Sequence, residues 1–264
     1  MLSVPYLEMD ITSLCNLRCP GCTHYSNYKL NSTVDIETGV SWLEEWSGRV
    51  TPEEFYLLGG EPLIHKDVNA YVETVTRLWP NARRHVVSNG LLFERNRDFF
   101  RVLAETGTKL LISIHSHRDV RYLDRLIKSL EVMKQEAERH QFQVEFRREQ
   151  ISRMFYTFYQ GEGADMRPFE DGDPKRSWEV CGNKLCKTIH QGRLWKCPPI
   201  AFLGLVAERF DLDKVDAWKP YLSYQGIGPD ASDEEIMSLY REKEAPICSM
   251  CPVKLTTHEN AIVT

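Results

Sequence analysis

The sequence predicts an α/β fold in which five or six βα units form a parallel sheet, followed by a smaller cysteine-rich region. Three observations support this prediction. Short β-like runs alternate with amphipathic helical runs between about residues 6 and 150. A stretch rich in Gly, Asp, Pro and charge follows at 161–177, and five of the eight cysteines lie in the last third of the chain.

The predicted strands and helices are joined by loops of a few residues, as βα units prefer. The predicted strands are Tyr6–Thr12, Glu54–Leu58, Arg84–Ser88, Lys109–His115 and Phe142–Arg147. The predicted helices are Asp35–Trp46, Asp67–Leu78, Asn96–Thr106, Val120–His140 and, in the late region, Ser232–Glu244. We therefore divide the chain into a barrel-like domain at 1–160, a linker or lid at 161–177 and a cysteine-rich domain at 178–264.

Composition excludes several classes of protein. No apolar run approaches the roughly 20 residues of a membrane span, so we expect no membrane partner. A net charge of -5 gives no general basic field for a nucleic acid. The N-terminus shows no signal peptide, so we expect a cytoplasmic, reducing compartment where the cysteines bind metal, act in catalysis or lie buried as thiols.

Cys15, Cys19 and Cys22 form the first cysteine group, directly after the first predicted strand. Thiolates at this spacing suit zinc or an iron–sulfur cluster. A structural zinc ion needs a fourth ligand, for which His24 is the local choice. A four-iron cluster held by three cysteines instead leaves one iron open to a small ligand.

A Gly59-Gly60-Glu61-Pro62 motif follows the second predicted strand, so it meets the cysteine loop at one rim of the sheet. Paired glycines let the backbone approach a ligand, and Glu61 can receive an ammonium group. With this motif downstream of the three cysteines, the chain resembles the radical S-adenosylmethionine enzymes. Gly21 departs from that family, which usually places a large residue before the last cysteine.

The resemblance implies a partial (β/α)6 TIM-like barrel and a [4Fe-4S] cluster on Cys15, Cys19 and Cys22 that binds S-adenosylmethionine. It further implies cleavage to a 5'-deoxyadenosyl radical, which abstracts hydrogen from a substrate. By resemblance, the cofactor contacts are Gly59, Gly60, Glu61, Pro62, Ser88, Asn89 and Ser113. An ordinary turn that ends the strand is the alternative for Ser88 and Asn89.

Strand parity predicts which side chains face the barrel interior. Leu7, Met9 and Ile11 should pack on helices, leaving Glu8, Asp10 and Thr12 toward the lumen. In the fourth strand, His115 shares parity with Ser113 and is predicted as a catalytic residue for substrate contact or proton transfer. A structural, hydrogen-bonded histidine is the alternative.

The late cysteines resemble the auxiliary-cluster extensions called SPASM and, in a shorter form, twitch. The segment from Gly192 to Cys197 fits their G-x4-C element. The predicted ligands of a second [4Fe-4S] cluster are Cys181, Cys197, Cys248 and Cys251. Cys186 replaces Cys181 in one alternative, and a structural zinc knuckle is another.

Cys186 decides between two reactions. A free Cys186 thiol near the cavity can return a hydrogen atom to a substrate radical, as an epimerase requires. If Cys186 is only buried, the second cluster can take the electron of the substrate radical, and the reaction is a dehydrogenation, which we place first.

We expect a radical S-adenosylmethionine enzyme that acts on a polar small molecule, a sugar or aminocyclitol, with an electron donor such as flavodoxin or ferredoxin. A peptide-modifying maturase is the alternative. It is disfavoured because the first strand begins within about six residues of Met1, leaving no room for an N-terminal peptide-recognition domain. A zinc-stabilised binding protein is the alternative that is not an enzyme.

Overall fold

The computed structural model describes residues 1–148 and 156–256. Residues 149–155, within the predicted barrel, and 257–264, at the end of the predicted cysteine-rich domain, lie outside the described residues.

One sheet of seven strands organises the described residues, in the order β5-β4-β3-β2-β1-β6-β7. Neighbouring strands pair in parallel except β7, which is antiparallel to β6. The strands are β1 Leu2–Asp10, β2 Val50–Leu58, β3 Arg83–Ser88, β4 Lys109–Ile114, β5 Val144–Arg148, β6 Thr188–His190 and β7 Arg193–Trp195. The five predicted strands are all present, and β1 and β2 begin earlier than predicted, at Leu2 and Val50.

Helices follow the strands β1 to β4, as in βα units. The α-helices are α1 Ile36–Ser47, α2 Val68–Leu78, α3 Asp98–Thr106, α4 Val120–Ala137, α5 Pro174–Val180, α6 Pro198–Ala201, α7 Leu203–Phe210, α8 Lys219–Leu222 and α9 Asp233–Arg241. Side-chain caps set several helix starts, because they satisfy backbone N–H groups that lack a partner within the helix. Asp35 accepts from Thr38 N, Asp119 from Tyr122 N, and Ser232 forms a capping box with Glu235.

The sixth parallel strand comes from the cysteine-rich region, and not from residues before 160. Strand β6 pairs with β1 at Glu8↔Thr188 and Met9↔Ile189. Residues on both sides of the predicted linker therefore share one sheet. This pairing brings Cys186 and Lys187, just before β6, beside the middle of β1.

The main hydrophobic core lies between the sheet and its helices. Leu7, Met9 and Ile11 are fully buried in this core, which confirms the predicted outward face of β1. A second core is built from residues 156–251 together with Tyr25 and Leu30 of the cysteine loop. Within the described ranges, no helix is long and apolar enough to cross a membrane.

Candidate active site

A cavity of about 640 Å³ opens on the inner side of the sheet. This size is typical of small-molecule sites. The strand ends supply its walls, and the predicted residues that line it are Cys15, Cys19, Cys22, Gly59, Gly60, Ser88, Asn89, Ser113, His115 and Cys186. Glu61 and Pro62 are absent from this lining.

The first three cysteines lie close together along the cavity. Burial raises the pKa of Cys15 to about 12, and the other two thiols also have a raised pKa because of burial. The sulfur of Cys15 accepts a hydrogen bond from Leu17 N at 3.4 Å and lies 3.8 Å from Asn89 Nδ2. Such donors stabilise sulfur that carries negative charge, as it does in an iron–sulfur cluster.

Gly59 and Gly60 pack against the backbone that leads into the cysteine loop. A Cβ on Gly59 would lie 2.5 Å from the Thr12 carbonyl oxygen, and one on Gly60 would lie 2.2 Å from the Leu14 carbonyl oxygen. Gly60 N donates to Thr12 O at 2.6 Å. Glycine is therefore required at both positions because a side chain would collide with the backbone before the cysteine loop, whether or not a ligand also approaches.

Glu61 is fully buried behind the cavity wall. Its carboxylate accepts from Ser88 Oγ at 2.8 Å, Asn89 N at 2.7 Å and Leu63 N at 3.2 Å. Burial raises its pKa to about 7, although these donors act in the opposite direction. Glu61, which the motif predicts as a receiver of an ammonium group, thus contacts the turn after β3 with its carboxylate.

Ser113 and His115 both line the cavity, as strand parity predicts. His115 Nδ1 lies 3.5 Å from Cys19 Sγ, so this ring sits at the first cysteine group. Burial lowers the pKa of His115 to about 4, which is below the range that the sequence argument assumed for proton transfer.

Of the three β1 side chains predicted to face the lumen, Glu8 lines the large cavity, as do Tyr6 and Cys186. Asp10 and Thr12 instead line a separate small pocket. The Tyr6 hydroxyl donates a hydrogen bond to Glu8 Oε2, and the Tyr6 ring stacks on Tyr56 with centroids 4.7 Å apart. Burial raises the pKa of Glu8 to about 7, while Tyr6, Lys187 and the Cys186 thiol act to lower it. Among the described residues, Glu8 Oε1 has no partner with normal hydrogen-bond geometry.

The late cysteines separate into two places. Cys181, Cys197, Cys248 and Cys251 line a second cavity of about 30 Å³, whereas Cys186 lines the large one. The pKa of Cys251 is raised well above its usual value, first by burial and then by the other three thiols of this group. The structure thus brings together the four thiols of the preferred ligand set.

Two buried lysines flank this four-thiol cavity. Lys196 lines it, is 2% exposed, and donates to Glu242 O at 2.7 Å and Glu242 Oε2 at 2.8 Å. Lys187 is equally buried, and Cys197, Cys186 and Cys181 act to raise its pKa, although burial lowers it overall. Glu242 is the ion-pair partner of Lys196. Lys196 also acts to lower the pKa of Cys248, and Lys187 acts to lower that of Cys197, so both ammonium groups favour thiolates in this cavity.

Within the described residues, no group of three or more His, Cys, Asp or Glu side chains could hold a metal ion. A single zinc ion needs its sulfur ligands about 2.3 Å from one point. In a four-iron cluster the four cysteines are instead distributed over the cluster. Three thiols around one large cavity and four around another fit two such clusters in ligand chemistry and number.

Sequence reasoning missed several residues of these sites. Tyr6 shares parity with Glu8, and this signal would have placed it in the lumen. Asn183 lines both cavities and donates its backbone N–H to Cys181 Sγ at 3.2 Å. Lys187 and Lys196 carry no sequence signal, because lysine is usually exposed.

The part of the chain that contains the first cysteine group is similar to known proteins. Residues 9–137 match the family model described as the Radical SAM superfamily, so this part of the chain is a Radical SAM superfamily domain. The matched range contains the three-cysteine loop, the Gly59–Pro62 motif and the residues after β3 and β4.

Two curated proteins are similar to the same part of the chain. GTP 3',8-cyclase of Alkaliphilus metalliredigens (strain QYMF) is 32% identical over 127 residues, which cover 46% of this chain and 38% of that protein. Molybdenum cofactor biosynthesis protein 1 of Dictyostelium discoideum is 30% identical over 108 residues, covering 40% of this chain and 17% of that protein. The chain thus spans well under half the length of either relative.

Solved structures similar to the chain include anSMEcpe with bound AdoMet and Cp18Cys peptide, at a TM-score of 0.41 and 16% identity, covering 55% of this chain and 42% of that one. BtrN in complex with AdoMet and 2-DOIA matches at a TM-score of 0.36 and 20% identity, covering 54% of this chain and 56% of that one.

Proposed function

We propose that this chain is a radical S-adenosylmethionine enzyme that epimerises a carbon centre of a hydroxyl- or amino-bearing small molecule, such as a sugar or aminocyclitol. The Radical SAM superfamily domain supports a [4Fe-4S] cluster on Cys15, Cys19 and Cys22 and S-adenosylmethionine in the large cavity. When bound, these cofactors supply a 5'-deoxyadenosyl radical that abstracts a hydrogen atom from the substrate.

The position of Cys186 is the observation that carries the epimerase proposal. Its thiol lines the large cavity with the first three cysteines and lies apart from the four-thiol cavity. Burial raises the pKa of Cys186 well above its usual value, and Glu8 adds to that shift. The thiol therefore keeps its hydrogen at neutral pH, and its S–H bond can supply a hydrogen atom to a carbon radical.

Unpaired polar atoms in the cavity support a substrate rich in hydroxyl or amino groups. Buried atoms along the lining without a partner in the described residues are Glu8 Oε1, Ser26 Oγ, Asn27 Oδ1 and Asn183 Oδ1. Most of them accept hydrogen bonds, and a buried acceptor without a donor costs about 1–3 kcal/mol. A polyol or amino sugar would supply those donors. Neither curated relative is named as a peptide-modifying enzyme, so a peptide substrate is not favoured.

Dehydrogenation is the second candidate, because the two cavities are neighbours. Asn183 lines both of them, and its side-chain amide donates to Tyr156 Oη at 3.2 Å. A second [4Fe-4S] cluster on Cys181, Cys197, Cys248 and Cys251, as in a twitch or SPASM extension, could then accept an electron from a substrate radical. In either reaction we propose a low-potential electron donor such as reduced flavodoxin or ferredoxin.

Turnover in deuterium oxide tests this proposal. Anaerobically reconstituted protein is reduced and incubated with S-adenosylmethionine and a panel of sugars and aminocyclitols. Epimerisation predicts 5'-deoxyadenosine and a product with a single carbon-bound deuterium, because the Cys186 thiol exchanges with solvent. Dehydrogenation predicts a product without deuterium and with two hydrogens fewer. Cys186→Ala should still form 5'-deoxyadenosine but no epimer, and wild-type protein with full iron that cleaves no S-adenosylmethionine would contradict the proposal.

A further inference from the structure

The Cys186 thiol and the Glu8 carboxyl group are neighbours in the large cavity. The proposed hydrogen-atom transfer involves the thiol but gives no role to Glu8. Both line the large cavity, and both are at least nine-tenths buried, at 8% and 1% exposure. The pairing of β6 with β1 brings them together, since Glu8 N donates to Lys187 O at 3.0 Å. The Cys186 thiol acts to lower the pKa of the Glu8 carboxyl group, while Glu8 acts to raise the pKa of the thiol, as expected of close neighbours.

A hydrogen-atom donor must be restored before a second turnover. When the S–H bond breaks and the substrate C–H bond forms, sulfur is left as a thiyl radical. One electron from the low-potential donor reduces that radical to a thiolate. The thiolate then needs a proton, and a carboxylic acid beside the sulfur supplies it far faster than hydronium ions, which are scarce at neutral pH.

We propose that Glu8 is the proton donor that restores the Cys186 thiol after each turnover, an inference that rests on the proposed epimerisation. In this step the O–H bond of the Glu8 carboxylic acid breaks and the S–H bond of Cys186 forms. Water in the open cavity then returns a proton to the carboxylate. Each cycle consumes one proton from water and one electron for the sulfur, in addition to the electron that cleaves S-adenosylmethionine.

The surroundings of Glu8 suit a group that holds a proton near neutral pH. Tyr6 donates to Oε2, so Oε1 remains on the cavity side without a partner in the described residues. Burial raises the pKa of Glu8 to about 7. The acid is therefore still substantially protonated at neutral pH and remains a stronger acid than the thiol beside it.

Each element packed around Glu8 contributes a charged or titratable group. On β1, Tyr6 donates to the carboxylate and Asp10 has its pKa raised partly by it. Lys187, just before β6, acts to lower the pKa of Glu8. Tyr56 lies opposite on β2, and Tyr240 of α9 has its own pKa raised partly by Glu8. Lys187 alone among these carries a positive charge, so the local charges do not hold the carboxylate ionised.

Alkylation of Cys186 without substrate tests the pair directly. Reconstituted wild type and Glu8→Gln are treated with iodoacetamide across a pH series, and Cys186 labelling is measured by mass spectrometry. Losing the neighbouring carboxylate should lower the thiol pKa, and a shift of one unit would raise labelling about tenfold near pH 8. Asp10→Asn is the matched control, because Asp10 is buried on the same strand but is not among the groups that shift the pKa of Cys186. Equal labelling in wild type and Glu8→Gln would overturn the proposal.

Turnover kinetics test the proton transfer itself. Glu8→Gln should form about one epimer per chain from its existing thiol, then slow at least tenfold, and it should lose the decline in steady-state rate that wild type shows above about pH 7. Cys186→Ala should show no first turnover. A wild-type steady state in Glu8→Gln would overturn the role of Glu8. If labelling differs as expected but wild type makes no epimer, then the proposed function fails, while the contact between Glu8 and Cys186 stands.

Discussion

Gly60 packs against Leu14 so closely that the turn after β2 and the start of the cysteine loop form one unit. A methyl group on Gly60 would lie 2.2 Å from the Leu14 carbonyl oxygen. That same oxygen accepts a hydrogen bond from Glu61 N at 2.8 Å. The Gly59–Pro62 motif therefore positions the first cysteine group as well as lining the cavity beside it.

Gly60→Ala should displace the cysteine loop, because the contact is with backbone that cannot rotate away. We expect iron at the first site to fall several-fold after reconstitution, together with a lower melting temperature. Iron per chain and thermal unfolding would measure these effects. Gly204→Ala is the matched control, since Gly204 starts an exposed part of α7 with nothing within 4 Å of the added methyl group. Normal iron content in Gly60→Ala would show that the loop can shift without losing its cluster.

Lys196→Met should weaken iron binding at the four-thiol cavity. The ammonium of Lys196 pairs with Glu242, but it also lies buried at the edge of this cavity, where it is poorly screened by water and acts to lower the pKa of Cys248. We expect iron at the second site to fall at least twofold, while iron at the first site stays unchanged. Lys196→Arg, which keeps the charge, should retain most of that iron, and Lys214→Met on the surface should retain all of it. Equal iron in Lys196→Met and wild type would contradict the electrostatic role.

Glu8→Gln should change how stability depends on pH. Because the folded-state pKa of Glu8 is raised to about 7, folding favours its protonated form. Its contribution is therefore fully present below the unfolded pKa and is lost as pH rises through about 7. The free energy of unfolding of Glu8→Gln minus that of wild type should therefore rise by on the order of 3 kcal/mol between about pH 4.5 and pH 8.

Urea unfolding of the iron-free protein at several pH values would measure this gain. Gly204→Ala, which changes no titratable group, should give the same difference from wild type at every pH. A pH-independent effect of Glu8→Gln would show that the Glu8 carboxyl group titrates normally in the folded protein.

The sequence predicted what depends on local pattern. Alternating strands and helices, the start of the first helix near Asp35 and the outward face of Leu7 and Met9 follow from short-range periodicity and side-chain chemistry. The strands β6 and β7 have three residues each, too few to show a period. The place of β6 beside β1 is set by pairing across more than half of the chain, and β7 follows by pairing with β6.

The long separation in sequence between β1 and β6 also explains which contacts at the site were not predicted. Cys186 reaches Glu8 only because β6 pairs with β1, so neither residue signals the other in the sequence. Glu61 was assigned to a ligand from its motif, whereas its three donors come from Leu63 and from the turn after β3. The four late thiols could be grouped through the resemblance to twitch and SPASM extensions, with Cys186 as the alternative to Cys181, but the lysines beside them could not be predicted.

Iron and sulfide per chain, measured on four reconstituted proteins, test the central claim most directly. These are wild type, the triple variant Cys15→Ala, Cys19→Ala and Cys22→Ala, the single variant Cys251→Ala, and Cys186→Ala. Two four-iron clusters predict about eight irons in wild type and in Cys186→Ala, and about four in the triple variant. Cys251→Ala should also fall toward about four. About four irons in wild type that fall to none in the triple variant, with zinc retained by the late cysteines, would contradict a second cluster. A loss of iron in Cys186→Ala equal to that in Cys251→Ala would make Cys186 a ligand and remove it as the hydrogen-atom donor.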